Sequence, residues 1–148
     1  MQPSYSIHKP RYKKFKRNQI IAHYMDHNWQ ADIGLLTKYK QFNKGFSCFL
    51  LCIDVISRFI WAEPMKSKTG QETAKAFEVI LKRSKPRKAE KLQTDEGKEF
   101  YNKNFDQIRN KLDIAIYSTT SDQKAAIAER AIKTIKELIS RYFTKYDT

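Results

Sequence analysis

Leu92-Gln93-Thr94-Asp95-Glu96-Gly97-Lys98-Glu99-Phe100 holds a strand end, a turn and the approach to a helix. A short apolar run stops on an aspartate. A glycine follows two positions later, then a polar segment able to start a helix. A carboxylate at such a strand end is fixed by the sheet but open on one side. Fixed oxygen ligands with room beside them suit a divalent cation, Mg2+ or Mn2+, and the oxygens of a substrate. Taken alone, Thr-Asp-x-Gly is weak evidence, because aspartate before a turn glycine is more often a turn former than a ligand. Two other carboxylates, Asp32 and Glu129, give it weight.

Upstream of this stretch, Ala89 to Thr94 reads as a strand entered from a helix. Thr69 can cap that helix, with Glu72 as its capping-box partner. Ala74, Phe77, Ile80 and Leu81 supply helical spacing, and the basic run Lys82 to Lys88, with Pro86, ends it. A strand reached through a crossover helix pairs parallel. Farther back, Trp29 to Leu36 alternates, placing Asp32 on the face opposite Trp29 and Ile33. Thr37 to Lys44 is polar and turn-like. Gly45 to Asp54 is apolar on both faces and therefore central. Phe59 to Met65 is a third strand, stopped at or just after Pro64. These three strands form an antiparallel meander.

Downstream, Asn102 to Leu112 is a helix with Phe105, Ile108 and Leu112 inward. Asp113 to Ser118 is a fifth strand, and Ser118 to Gln123 a polar loop. Lys124 to Tyr146 is a long last helix, with Ile127, Ala131, Ile135, Leu138 and Tyr142 as its apolar stripe. The order β-β-β-α-β-α-β-α gives an α/β fold: a mixed five-stranded sheet with helices on both faces. A length of 148 residues suits one core. Residues 1–28 read as a basic lead-in and 29–148 as the domain.

In a sheet ordered 3-2-1-4-5 the first and fourth strands are neighbours, and Asp32 can meet Asp95. Carboxylates held together repel and call for cations between them. Two Mg2+ ions about 4 Å apart would neutralise them and clamp both oxygens of an in-line phosphoryl displacement. Glu129 is open to a plainer reading, since a glutamate on a polar helix usually only solvates its face. Lys133 and Lys136 share that face, which suits a helix lying beside DNA, although Glu129–Lys133 is also an ordinary i,i+4 ion pair. Asp54, Glu96 and Glu99 are rival acids. Asp54 ends the central strand, as either a fourth ligand or a turn cap.

The net charge is +13 and the sequence pI near 9.7. At this magnitude a polyanionic partner is favoured over mere solubility. Charge alone leaves RNA, DNA and an anionic membrane open. No basic amphipathic helix with an exposed Trp/Phe/Leu face argues for the membrane, and no apolar run has transmembrane length. Lys9, Arg11, Lys13, Lys14, Lys16 and Arg17 crowd one stretch with Tyr12 and Phe15 between them. That is a solvated basic arm, an element lying along phosphates, or both. Cys48 and Cys52 read as buried thiols, and His23 and His27 as incidental. Met1 to Pro10 shows no secretory signal.

The motifs, in order, resemble the catalytic core of retroviral-type integrases. They are Trp29-Gln-Ala-Asp32, Ile53-Asp-Val-Ile-Ser-Arg58, Ala62-Glu-Pro, Lys68-Thr-Gly, Gln93-Thr-Asp95-Glu-Gly-Lys-Glu-Phe100 and Lys124-Ala…Glu129-Arg130. The last is similar to integrases of Maverick/Polinton transposons and related retroelements. The resemblance covers about residues 29–145. It implies an RNase H-like fold and an Asp-Asp-Glu metal triad on Asp32, Asp95 and Glu129. It also implies DNA contacts by Lys124, Arg130, Lys133 and Lys136, to which the arm adds Lys13, Lys14, Lys16 and Arg17. Two departures stand out. The Asp95–Glu129 gap leaves 33 residues where the retroviral motif has thirty-five, and Ile132 stands where relatives often carry a polar residue.

The leading expectation is a polynucleotidyl transferase core for DNA integration, working by 3′-end processing and strand transfer. A homo-oligomer in the full-length form, a nuclear location and a C-terminal truncation are expected with it. The alternatives are a nucleic-acid-binding remnant with weak catalysis and a ribonuclease H-type hydrolase.

Overall fold

The structure is a computed structural model that describes residues 22–118 and 125–146. Its strands are β1 (Asn28–Leu35), β2 (Cys48–Asp54), β3 (Ile60–Met65), β4 (Lys91–Thr94) and β5 (Ala115–Ser118). Its helices are α1 (Gly70–Ser84), α2 (Lys103–Lys111) and α3 (Ala126–Lys145). The sheet runs β3-β2-β1-β4-β5. β1 pairs antiparallel with β2, and β2 with β3. β1 with β4 and β4 with β5 are parallel. This is the expected mixed sheet of an RNase H-like core.

Alternation sorts the side chains onto two faces. Trp29, Ala31, Ile33, Cys48, Leu50 and Cys52 pack under α1 and α2 with Phe77, Phe100 and Phe105. Phe49, Leu51 and Ile53 pack under α3 with Ala128 and Ile132. Every residue of β2 is buried, as befits a central strand covered on both sides. β3 ends at Met65, just after Pro64 as expected, and Pro64 stands opposite Phe49. β3 is an edge strand, where a missing N–H is tolerated.

The caps follow the local chemistry. Thr69 accepts from the amide of Glu72, and Asn102 from that of Phe105. The polar segment after β1 is not a simple turn but a short 3-10 helix, Thr37–Phe42. Of the lead-in, the described part is bound to the core. The Tyr24 hydroxyl donates to Glu90 and the Asp26 amide to Asp54, at 2.7 and 2.9 Å.

The apolar stripe of α3 is the expected one at Ile127, Ala131 and Ile135, which pack against the core, and departs from it beyond them. Ala128 and Ile132 are buried, with Ile135 and Ile139 packed beside them. Leu138 and Tyr142 are exposed at 57% and 59%. Gly34 explains the phase. A Cβ there would lie 2.4 Å from the Phe49 ring and 3.0 Å from Ile132. Its bare backbone lets α3 settle closely on β1 through Ile132. The residue that departs from the family pattern is thus a core residue of this helix.

Candidate functional site

The β1–β4 ladder ends with Gln30 opposite Gln93. Their side chains touch on the α3 face, Gln30 Nε2 donating to Gln93 Oε1 at 3.0 Å. Gln30 Oε1 accepts from the amides of Ile127 and Ala128, at 3.0 and 3.1 Å. α3 has no side-chain cap of its own. A sheet residue therefore accepts from the two amides that an N-cap side chain normally serves. This ties the first turn of α3, which carries Glu129, to the strands that carry Asp32 and lead to Asp95.

Asp32 lies two positions past Gln30 on the same face of β1, and Asp95 two past Gln93, just beyond β4. Asp32 Oδ1 accepts from the Ile33 amide at 2.8 Å, and Asp95 Oδ1 from the Gly97 amide at 2.9 Å. Asp95 is thus the turn former of the bland reading and also stands at the strand end. Burial, above all, pushes the Asp32 carboxyl up to about 6. Its bond to Ile33 and the charge of Lys68 oppose the shift, and the charges of Asp95 and Glu129 add to it. Asp32 therefore feels the charge of both other acids. Even so, among the described residues no three His, Cys, Asp or Glu side chains stand close enough to hold an ion as placed. Glu129 is exposed on α3.

Lys68 is the neighbour that sequence reasoning left without a role. It bridges to Glu99 at 2.9 Å. That bond, against some desolvation and with the fields of Glu99, Asp95 and Asp32, raises the lysine above its usual value. Glu99 is folded over Gly97, where an added Cβ would meet its carboxylate at 2.5 Å. The signal was present in the quoted Lys68-Thr-Gly motif, but nothing local to it pointed at Glu99, 31 residues on.

The rival acids separate cleanly. Glu96 is exposed. Asp54 pairs with Trp29 at the far end of β1 from Asp32. It accepts from the amides of Asp26 and Ser57 and meets Arg87 at 3.3 Å. Burial opposes its ionisation, but Ser57, the Asp26 amide and Arg87 outweigh that and hold its carboxyl below the usual value. Of the two sequence readings, Asp54 is the turn cap.

Lys133 and Lys136 are exposed and line a shallow groove with Glu129, Ile132, Glu137 and Ser140. Arg130 is exposed beside them. Lys13, Lys14, Lys16, Arg17 and Lys124 lie outside the described residues, as does most of the polar loop before α3. No helix among the described residues is long and apolar enough to cross a membrane.

Residues 22–124 match the integrase core domain. The chain belongs to that family. Among relatives of the integrase core, a transposon-derived protein of Caenorhabditis elegans is 36% identical over 110 residues, 74% of this chain. This chain spans 38% of that protein's length. The HTLV-2 integrase catalytic core, solved in complex with magnesium, superposes with a TM-score of 0.66. It is 23% identical and covers 81% of this chain and 73% of its own. The integrase in a simian T-cell lymphotropic virus intasome superposes at 0.76, with 19% identity over 93% of this chain and 48% of that one. The BIV integrase core gives 0.64, at 17% identity over 81% and 73%. These likenesses fix the fold as that of an integrase core.

Proposed function

We propose that the chain is the catalytic core of a polynucleotidyl transferase of transposon or retroelement type. In this reading, Asp32 and Asp95 hold a divalent cation, Mg2+ or Mn2+, and Glu129 completes the ligand set. The carrying observation is that Asp32, within β1, and Asp95, just past β4, each follow by two positions the paired Gln30 and Gln93, on the face covered by a helix tethered through Gln30. The donor set is all oxygen, as a hard cation requires, and Asp32 is raised partly by like-charged neighbours that such a cation would neutralise. Bound there, the cation would draw charge from the phosphate under attack.

The chain's own residues do the rest. Asp32 and Asp95 are fixed by the Ile33 and Gly97 amides, so their outer oxygens keep one orientation. Lys68 balances part of the acidic charge and keeps Glu99 turned aside. Lys133 and Lys136, one helix face with Glu129, hold the phosphates that flank the reacting bond. The reaction is an in-line displacement at phosphorus. A water or a DNA 3′-hydroxyl forms the new P–O bond, a 3′-oxygen leaves, and no protein side chain is esterified. DNA is the partner. A homo-oligomer is the working arrangement in this reading, supported by the trimeric and dimeric forms in which the HTLV-2 integrase core was solved.

A second reading, DNA binding without turnover, is favoured by the exposure of Glu129 and by the absence, among the described residues, of three acids grouped closely enough to hold an ion. A branched DNA with a free 3′-hydroxyl, incubated with Mn2+, separates the readings. Transferase activity yields a longer, joined strand that disappears in Asp95→Asn. Cleavage of an RNA–DNA hybrid without joining would assign a hydrolase. Binding with no product would assign the remnant.

A further inference from the structure

We propose that the 3-10 segment between β1 and β2 is a second nucleic-acid contact, forming one wall of a groove through which a strand leaving the α3 face runs between Lys38 and Lys136. The proposal rests on the reading of α3 as the helix beside DNA.

The groove of Glu129, Lys133 and Lys136 does not end at α3. A second depression is lined by Leu35, Thr37, Lys38, Tyr39 and Lys136. Lys136 belongs to both. The two therefore join into one track from Glu129 to the end of β1, three residues past Asp32. Its charge has one sign on the new wall. Between Asp32 and Asp54 the chain has Lys38, Lys40 and Lys44 and no acid. All three lysines are exposed.

The wall is held in place rather than loosely attached. The Tyr39 ring stacks on Phe143 of α3, with centroids 4.5 Å apart and planes at 12°. Lys38 lies over the same ring, its Nζ 4.9 Å from the centroid. This contact restricts the freedom of the Lys38 side chain beside the groove it lines. Leu35 and Phe42, 50% and 61% exposed, add apolar surface beside the lysines. Cations for phosphates next to apolar and aromatic faces for sugars and bases are what a nucleic-acid strand needs. A neutral protein partner would leave three lysines of one sign without complementary charge.

The test is a salt titration of duplex DNA binding in EDTA, with the full 148-residue chain. Four proteins are compared: the parent, Lys38→Ala/Lys40→Ala, Lys133→Ala/Lys136→Ala, and a control, Lys75→Ala/Lys111→Ala. The control lysines are exposed on α1 and α2, on the other side of the sheet. Because no divalent metal is present, a failed metal site leaves the readout untouched. The Lys38/Lys40 variant should bind more weakly and lose about 1 unit of salt slope for each phosphate contact removed. The control should match the parent. A flattened slope for Lys133/Lys136 with a parental slope for Lys38/Lys40 would overturn this inference alone. Parental slopes in both would overturn it together with the α3 reading.

Discussion

Asp32 and Asp54 are strand acids with opposite pH behaviour. Asp54 is held below its usual value, so its contribution to stability is present above about pH 4 and fades in stronger acid. Asp32 is raised from 3.8 to about 6. The folded state then binds its proton more tightly than the unfolded chain does. Stability is therefore lost as pH rises from about 4 to about 6, and the cost persists at neutrality. Asp32→Asn removes that charge without changing the shape. In chelator at pH 7 it should melt higher than the parent by about 2–4 °C, near 1 kcal/mol for a chain of this size, after allowance for partial exposure. At pH 4 the difference should vanish. Melts at pH 4, 5, 6 and 7 give the answer, and an advantage independent of pH would assign the effect to packing instead of charge.

At the scale of elements, α3 shows where sequence reading succeeds and where it stops. Alternation in β1 was enough to place Asp32 opposite Trp29, and the crossover helix was enough to make β1 and β4 parallel. The position of Asp95 followed from a strand end and a turn glycine. The phase of α3 followed only in part: Ile127, Ala131 and Ile135 pack inward as read, but Ala128, Ile132 and Ile139 join them while Leu138 and Tyr142 are exposed. Periodicity cannot choose between two apolar stripes on one helix. The choice depends on Gly34 and on Gln30, which lie about 100 residues away in sequence. Thr37–Phe42 carries no cap signal, so its 3-10 turn was equally hidden. Lys68 and Glu99 met only when α1 was packed.

The tether yields its own prediction. Gln30→Ala would leave the amides of Ile127 and Ala128 without their acceptor, one of them buried. A lost cap and an unsatisfied buried donor together cost about 2–3 kcal/mol. Urea unfolding should show that loss. Amide exchange should accelerate at Ile127, Ala128 and Glu129 before the rest of α3. Uniform acceleration along the whole chain would mean Gln30 serves the sheet and not the helix.

Over the whole molecule, an excess of 13 positive charges has to be reconciled with a site built from acids. Lys133 and Lys136 lie on α3 with Glu129, and in the sequence the stretch Lys9 to Arg17 holds six more basic residues. Affinity for duplex DNA should fall steeply with salt, at about 0.9 log units per decade for each phosphate contact. Lys133→Ala/Lys136→Ala should flatten the slope by about two. Deleting residues 1–17 should weaken binding but leave the position of cleavage unchanged. A shifted cleavage position would place the arm at the reacting bond. The central claim, that Asp32 and Asp95 together bind a divalent cation, has a more direct test. Thermal unfolding of the parent, Asp32→Asn and Asp95→Asn is followed with and without Mn2+. A ligand that binds only the folded chain adds about 1.4 kcal/mol at ten times its Kd, a rise of about 3–5 °C here. The account predicts that rise in the parent and none in either variant. An equal rise in all three proteins would contradict it.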